Sequence, residues 1–114
     1  MFRRLSVAVM ASILMAGSAY ADPIEGSWRT DKGSIAAISG CGSSFCIKLA
    51  SGKFAGKSIG KFKADGDSQY SGNITDPETD KTYSGKGTLS GNSLKMSGCV
   101  LGGLICRSQN WKRQ

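Results

Sequence analysis

The chain predicts an all-β fold: a small antiparallel up-and-down barrel of about eight short strands. Three features point there. Short runs of alternating apolar and polar residues recur at even spacing from about residue 24 to residue 112, divided by Gly, Asn, Asp and Pro signals. Over the same stretch no apolar pattern is sustained at the helical period. The chain also carries 16 glycines. Several fall inside the strand-like runs, where glycine relieves crowding and permits the bending a small barrel needs.

Taken in order, the expected strands are residues 24–30, 34–39, 45–50, 58–64, 69–75, 82–89, 93–97 and 105–112. The first carries Ile24 and Gly26-Ser-Trp28. In the third, Phe45, Ile47 and Leu49 share one face, while Cys46 and Lys48 take the other. The fifth places Tyr70, Gly72 and Ile74 together. The sixth does the same with Tyr83, Gly85, Gly87 and Leu89, and the seventh with Leu94 and Met96. Lys81, Lys86 and Lys95 then point outward or lie at strand ends. Asp76-Pro-Glu-Thr-Asp80 is a turn in which proline presets φ, and Ser90-Gly-Asn92 is a second, tighter one. On the last strand Ile105, Arg107, Gln109 and Trp111 share a face.

Upstream of these strands the chain reads as a secretory signal peptide. Met1-Phe-Arg-Arg4 is basic, Leu5 to about Ala16 is apolar, and Ala19-Tyr20-Ala21 is a small-x-small cleavage pattern. The apolar core is shorter than the roughly 20 residues a membrane-spanning helix needs. Residues 1–21 are therefore expected to be removed. That leaves residues 22–114 as one domain with no integral membrane segment, in the periplasm or secreted. Losing Arg3 and Arg4 lowers the formal net charge from +7 to +5.

The four cysteines are Cys41, Cys46, Cys99 and Cys106. Export makes disulfides the default. Three pairings are possible and sequence alone does not choose among them. Spacing favours the local pairs Cys41–Cys46 and Cys99–Cys106, each closing a Gly-containing turn. No Cys-x-x-Cys motif suggests redox activity, and a four-thiolate zinc site does not suit an exported chain.

Charge is unevenly placed. Lys48, Lys53, Lys57, Lys61 and Lys63 form a basic stretch, followed by Asp65, Asp67, Asp76, Glu78 and Asp80. A basic surface invites anionic partners such as lipid headgroups. No zinc-finger or RNA-binding motif supports nucleic acid as the partner. The plainer expectation is a solvated lysine face that protects strand edges from pairing with other chains.

The available chemistry is narrow. The chain has no histidine, so Ser-His-Asp, Cys-His and His-based zinc chemistry are excluded. Asp76-x-Glu78-x-Asp80 offers oxygen ligands for calcium but lacks the rest of a twelve-residue EF-hand loop. There is no phosphate-binding glycine loop. A non-enzymatic protein without metal or cofactor is the expectation.

Four pieces occur in one order: Gly26-Ser-Trp28, Gly40-Cys-Gly42 with Cys46, Asp76-Pro-Glu78 with Lys81-Thr-Tyr83, and Gly98-Cys99 through Cys106-Arg-Ser-Gln-Asn-Trp-Lys-Arg113. Together they resemble the bacterial family of exported proteins known as domain of unknown function 2147, over nearly all of residues 22–114. Longer members of that family carry more sequence between the regions of Cys46 and Tyr70. The resemblance implies a lipocalin-like barrel. Gly26-x-Trp28 looks like the lipocalin Gly-x-Trp signature, in which a cation of the last strand, here Arg107 or Arg113, packs over the tryptophan.

The function expected is binding of a small apolar or amphipathic molecule inside the barrel. The candidate lining is Trp28, Tyr70, Tyr83, Met96, Arg107, Gln109 and Trp111. Arg107 and Gln109, set between apolar neighbours, suit a ligand with an anionic or hydrogen-bonding end. Trp28 equally reads as a core residue closing the barrel base. Two alternatives stay open. One is a protein-interaction module that inhibits an envelope hydrolase or serves in envelope stress, with an envelope or host protein as partner. The other is a secreted effector whose signal is the basic tail from Arg107 to Arg113.

Overall fold

A computed structural model describes residues 22–114. The expected signal peptide lies outside the described residues. Eight strands follow one another: β1 (Gly26–Arg29), β2 (Ile35–Cys41), β3 (Ser44–Leu49), β4 (Ser58–Ala64), β5 (Gln69–Thr75), β6 (Thr82–Ser90), β7 (Ser93–Val100) and β8 (Ile105–Arg113). Each pairs antiparallel with its neighbours in sequence. β1 also pairs with β8 through Trp28↔Arg113 and Arg29↔Lys112, so the sheet closes into an up-and-down barrel. The expected strands match these eight, with small shifts. β1 is shorter than expected because residues 22–25 form a turn, in which the Glu25 amide donates to the Asp22 carbonyl. β7 is longer, running past Ser97 to Val100.

Both disulfides are the local pairs, Cys41–Cys46 and Cys99–Cys106. They lie on the outer wall. Cys99 and Cys106 stand directly opposite each other across the β7–β8 ladder. Beyond them the chain turns through Leu101, Gly102 and Gly103, all at positive φ. A leucine in the left-handed region is uncommon. Here the cross-linked strand ends leave only a short connection in which to reverse direction.

Closure narrows the edge-protecting role expected of the lysines: β1 meets β8 at Trp28↔Arg113 and Arg29↔Lys112, which leaves the β8 residues before Lys112 without a β1 partner. Arg29, Lys48, Lys61, Lys63, Lys86, Lys95 and Lys112 all stand exposed on the outer wall. No strand contains Asp or Glu; all eight acidic residues sit in turns or in the segment before β1. Such a wall is the opposite of the apolar belt that a lipid-embedded barrel presents. No helix among the described residues is long and apolar enough to cross a membrane.

Inside, the barrel is divided along its length. Gly72, Gly85 and Gly98 face inward and pair with one another across β5, β6 and β7. A Cβ built on Gly72 would lie 2.0 Å from the Lys61 carbonyl oxygen, and one on Gly85 would lie 2.7 Å from Phe62 Cζ. The missing side chains let β4 approach β5 and let the Phe62 ring cross toward β6. On one side of this row the interior is packed by Ile24, Trp28, Ile38, Tyr70 and Leu94. On the other side it opens.

Candidate functional site

The open half of the barrel holds a cavity of about 990 Å³. Its walls are the mouth-side ends of the strands: Leu49 from β3, Ile59 from β4, Ile74 from β5, Tyr83 from β6, Met96, Gly98 and Val100 from β7, and Ile105, Arg107, Gln109 and Trp111 from β8. Its rim is polar and charged, with Thr30, Lys32, Ser34, Ser51, Lys53, Thr75, Asp76, Glu78 and Lys81 from the turns and strand ends. Phe54, in the loop after β3, packs against the core from the rim.

The wall supplied by β8 is polar in a directed way. The Trp111 indole N–H donates to Gln109 Oε1 at 2.9 Å. An indole can only donate, so this bond fixes the amide with its oxygen toward Trp111 and its NH₂ group free to donate. Arg107, two residues earlier on the same face, can only donate. Among the described residues no carboxylate pairs with it. Arg107 and Gln109 therefore offer hydrogen-bond donors beside the apolar side chains of Ile105, Met96 and Trp111. That is the chemistry to hold a carboxylate, phosphate or carbonyl.

Five of the seven residues expected to line a cavity come together here: Tyr83, Met96, Arg107, Gln109 and Trp111. Trp28 and Tyr70 do not; they lie in the packed half. Trp28 is fully buried, and its indole N–H donates to the Ile24 carbonyl at 2.9 Å. Arg113, not Arg107, covers it, with the guanidinium carbon 4.2 Å from the ring centroid. That guanidinium also donates to the carbonyls of Pro23 and Glu25, at 2.6 and 3.2 Å. One side chain thereby ties the last strand to the segment before the first. Tyr70 donates its hydroxyl to Asp22 Oδ1 at 2.5 Å. Burial, that hydrogen bond and the carboxylate charge together raise the phenol well above its ordinary pKa of 10. Both residues anchor the base of the barrel.

The expected lining lacks many residues of the actual one, among them Leu49, Ile59 and Phe54. Strict alternation from Phe62 turns Ile59 outward. The register shifts between Ile47 and Lys48, which pair with Gly60 and Ser58 respectively. This leaves Ile59 as the extra residue of a bulge, directed inward. The one available signal was an isoleucine on a face otherwise made of lysine. Leu49 belonged to an inward face already recognised, but nothing in its pattern said which end of the barrel it occupied. Phe54 stands alone in a Gly- and Lys-rich loop, where only its aromatic character marks it.

Turns crossing from one side of the barrel to the other partly roof the mouth. The β1–β2 and β5–β6 turns lie half-way round the barrel from each other in strand order. They nevertheless meet through Lys32 and Glu78, Nζ to Oε1 at 3.2 Å. Asp80 in the same β5–β6 turn pairs with Lys57 at the end of the β3–β4 loop. Asp76 accepts a hydrogen bond from the Glu78 amide. The three carboxylates considered for calcium are thus turned toward separate partners, and no grouping with metal-ligand geometry occurs among the described residues.

A family model described as an uncharacterized protein conserved in bacteria (DUF2147) matches residues 53–113. The chain belongs to that family. The match is narrower than the sequence motifs suggested, beginning in the β3–β4 loop. It includes all of β4 to β8 but neither Gly26-Ser-Trp28 nor the Cys41–Cys46 pair. No curated protein and no solved structure matches the chain.

Proposed function

We propose that this protein is an exported, non-enzymatic carrier that binds a small amphipathic molecule in the open half of its barrel. The carrying observation is the 990 Å³ cavity, in which Arg107 and Gln109 present donors beside Leu49, Ile59, Ile74, Met96 and Trp111. Its volume lies within the range usual for small-molecule sites, and its apolar wall of strand residues is capped by a polar rim of turn residues. The apolar part of the ligand would lie against the aliphatic and indole surfaces, with an acidic or carbonyl end at Arg107.

Several features support the rest of the reading. Two disulfides suit an oxidising compartment. With no histidine in the chain and all four cysteines in disulfides, the common nucleophile–base pairs have no members here. The pairing of Gly26-Ser-Trp28 with a covering Arg113 is in keeping with a lipocalin-like carrier. The effector reading has no feature of its own, because the basic tail it needs is strand β8.

Titration of the purified protein with fatty acids of graded length, followed by tryptophan fluorescence, tests the proposal. Saturable binding of at least one chain length is expected. Arg107→Ala should weaken the acids about tenfold, the cost of losing one charged hydrogen bond, and leave the matching alcohols unchanged. No saturable binding, or equal loss for acids and alcohols, would sink the assignment of Arg107 as the headgroup site.

A further inference from the structure

We infer that the β7–β8 turn is a membrane-docking tip through which the barrel exchanges its ligand with an anionic lipid surface. This rests on the carrier reading and names the source of its ligand. Leu101, Leu104 and Ile105 are 67%, 84% and 52% exposed, and they are the large hydrophobic residues left in solvent among the described residues. All three fall in one turn of the molecule. The Cys99–Cys106 bridge clamps the two strands directly beneath them. Three consecutive positive-φ residues, Leu101 to Gly103, set the turn above that clamp. The apolar side chains are therefore held out by a braced support. An apolar residue on a loose loop could fold back onto the barrel, and these are poorly placed to do so.

The tip continues into the cavity. Ile105 belongs to both, and Val100 and Arg107 line the cavity on the strands that carry the tip. Arg107 is itself exposed, so it reaches solvent and cavity at once. The other three mouth connections are tied together by Lys32–Glu78 and Lys57–Asp80. The β7–β8 turn takes part in neither pair. The roof is thus strapped on three sides, and the free side is the one bearing the apolar tip.

The size and the charge of the tip select a lipid surface as the occupant. Three aliphatic side chains on a turn offer far less than the roughly 800 Å² per partner of a stable protein interface, whereas shallow insertion into a headgroup region needs only a small apolar element beside cations. Charge complements the choice. The strands themselves carry cations and no acid, with Lys86, Lys95 and Arg107 on β6, β7 and β8, and residues 22–114 hold 13 basic side chains (15 less Arg3 and Arg4) against 8 acidic. The acids at the mouth lie in the other turns and are engaged there: Glu78 by Lys32, Asp80 by Lys57 and Asp31 by the Asn110 amide. Anionic lipid attracts such a surface and concentrates the protein there.

The test uses protein recovered after expression of the full chain, with vesicles of phosphatidylcholine alone or with phosphatidylglycerol at about one third. Sedimentation measures docking, and transfer of a fluorescent fatty acid from vesicle to protein measures exchange. The protein is expected to pellet with the anionic vesicles and to be released by salt. Transfer should speed up as vesicle concentration rises, the mark of a collisional step. Leu101→Ser with Leu104→Ser should lower vesicle affinity at least tenfold and slow transfer to match, leaving affinity for free fatty acid within twofold. Two results would overturn the inference: absence of pelleting by the unaltered protein, or equal pelleting by the double variant. A dimer that the double variant converts to monomer would overturn it too, by showing that a second copy covers the tip. Docking without any fatty-acid binding would leave the tip standing and remove the carrier reading, so the two can fail separately.

Discussion

At the base of the barrel, Ile24, Trp28, Ile38, Tyr70 and Leu94 fill the space between the strands, and Arg113 and Asp22 bind the segment before β1 to β8 and β5 across it. At the mouth the same strands, with the same inward alternation, border an open cavity of about 990 Å³. The difference lies in what the inward positions carry. The base receives two large side chains from the first strand and its approach, Ile24 and Trp28, which plug it from below. The mouth receives Gly98, Val100, Arg107 and Gln109 along β7 and β8, which leave room and reach outward. An eight-stranded barrel is near the limit at which side chains alone fill its interior. Small shifts in residue volume from end to end therefore decide between a core and a pocket.

The largest effect that sharpens this contrast comes from Trp28→Ala. The indole is fully buried and covered by Arg113. Removing it should cost about 4 kcal/mol, the usual figure for a large aromatic in a closed core. Truncating a mouth aromatic should cost much less. Tyr83→Ala, at a half-buried position already facing open space, is expected to lose about 1 kcal/mol. Urea unfolding of both variants gives the comparison. Equal losses would mean that the mouth is as much a structural core as the base.

How much of this contrast was legible beforehand follows from the same residues. Alternation is a local property, so all eight strands, and the inward faces of β3 and β5 to β8, could be read from patterns such as Phe45-x-Ile47-x-Leu49. The level of a residue along the barrel axis is set by register and by closure, which are long-range. Trp28 and Tyr70 share inward faces with true cavity residues, and nothing within their own strands says that they lie at the base. Trp28 pairs with Arg113, 85 positions away in a chain whose register no local pattern fixes. Ile59 was hidden for another reason: a one-residue bulge reverses the alternation from which its direction was read. The disulfides were legible because each spans a single turn, five or seven positions apart.

A smaller effect comes from the base alone and depends on pH. The Tyr70 phenol is held above its ordinary pKa of 10 by burial and by the Asp22 carboxylate. The folded protein therefore keeps that proton more tightly than the unfolded chain does. The stabilisation is complete below pH 10 and is lost as the pH climbs from there toward the folded-state value. Unfolding free energy should fall more steeply above pH 10 in the unaltered protein than in Tyr70→Phe. Below pH 10 the variant should be less stable by about 1.5–3 kcal/mol, the value of one hydrogen bond to a charged group. Parallel pH curves would show that the hydroxyl contributes nothing to holding the residues before β1 against the barrel.

The smallest expected change in stability falls at the mouth, where it tests whether the roof has any part in holding a ligand. Lys32 and Glu78 are both well exposed, and exposed pairs contribute between nothing and about 1 kcal/mol. Glu78→Gln should therefore leave the unfolding midpoint almost unmoved. Its consequence should be kinetic. The pair ties turns that start on opposite sides of the barrel, so losing it frees the β5–β6 turn to swing away from Lys32 and uncover the cavity. Dissociation of a bound fatty acid, measured by stopped-flow displacement, should become several-fold faster at low salt. The gap should close at high salt, where screening has already weakened the pair in the unaltered protein. If the rates agree at every salt concentration, the ligand leaves without passing beneath this turn, and the free side next to β8 is the whole of its route.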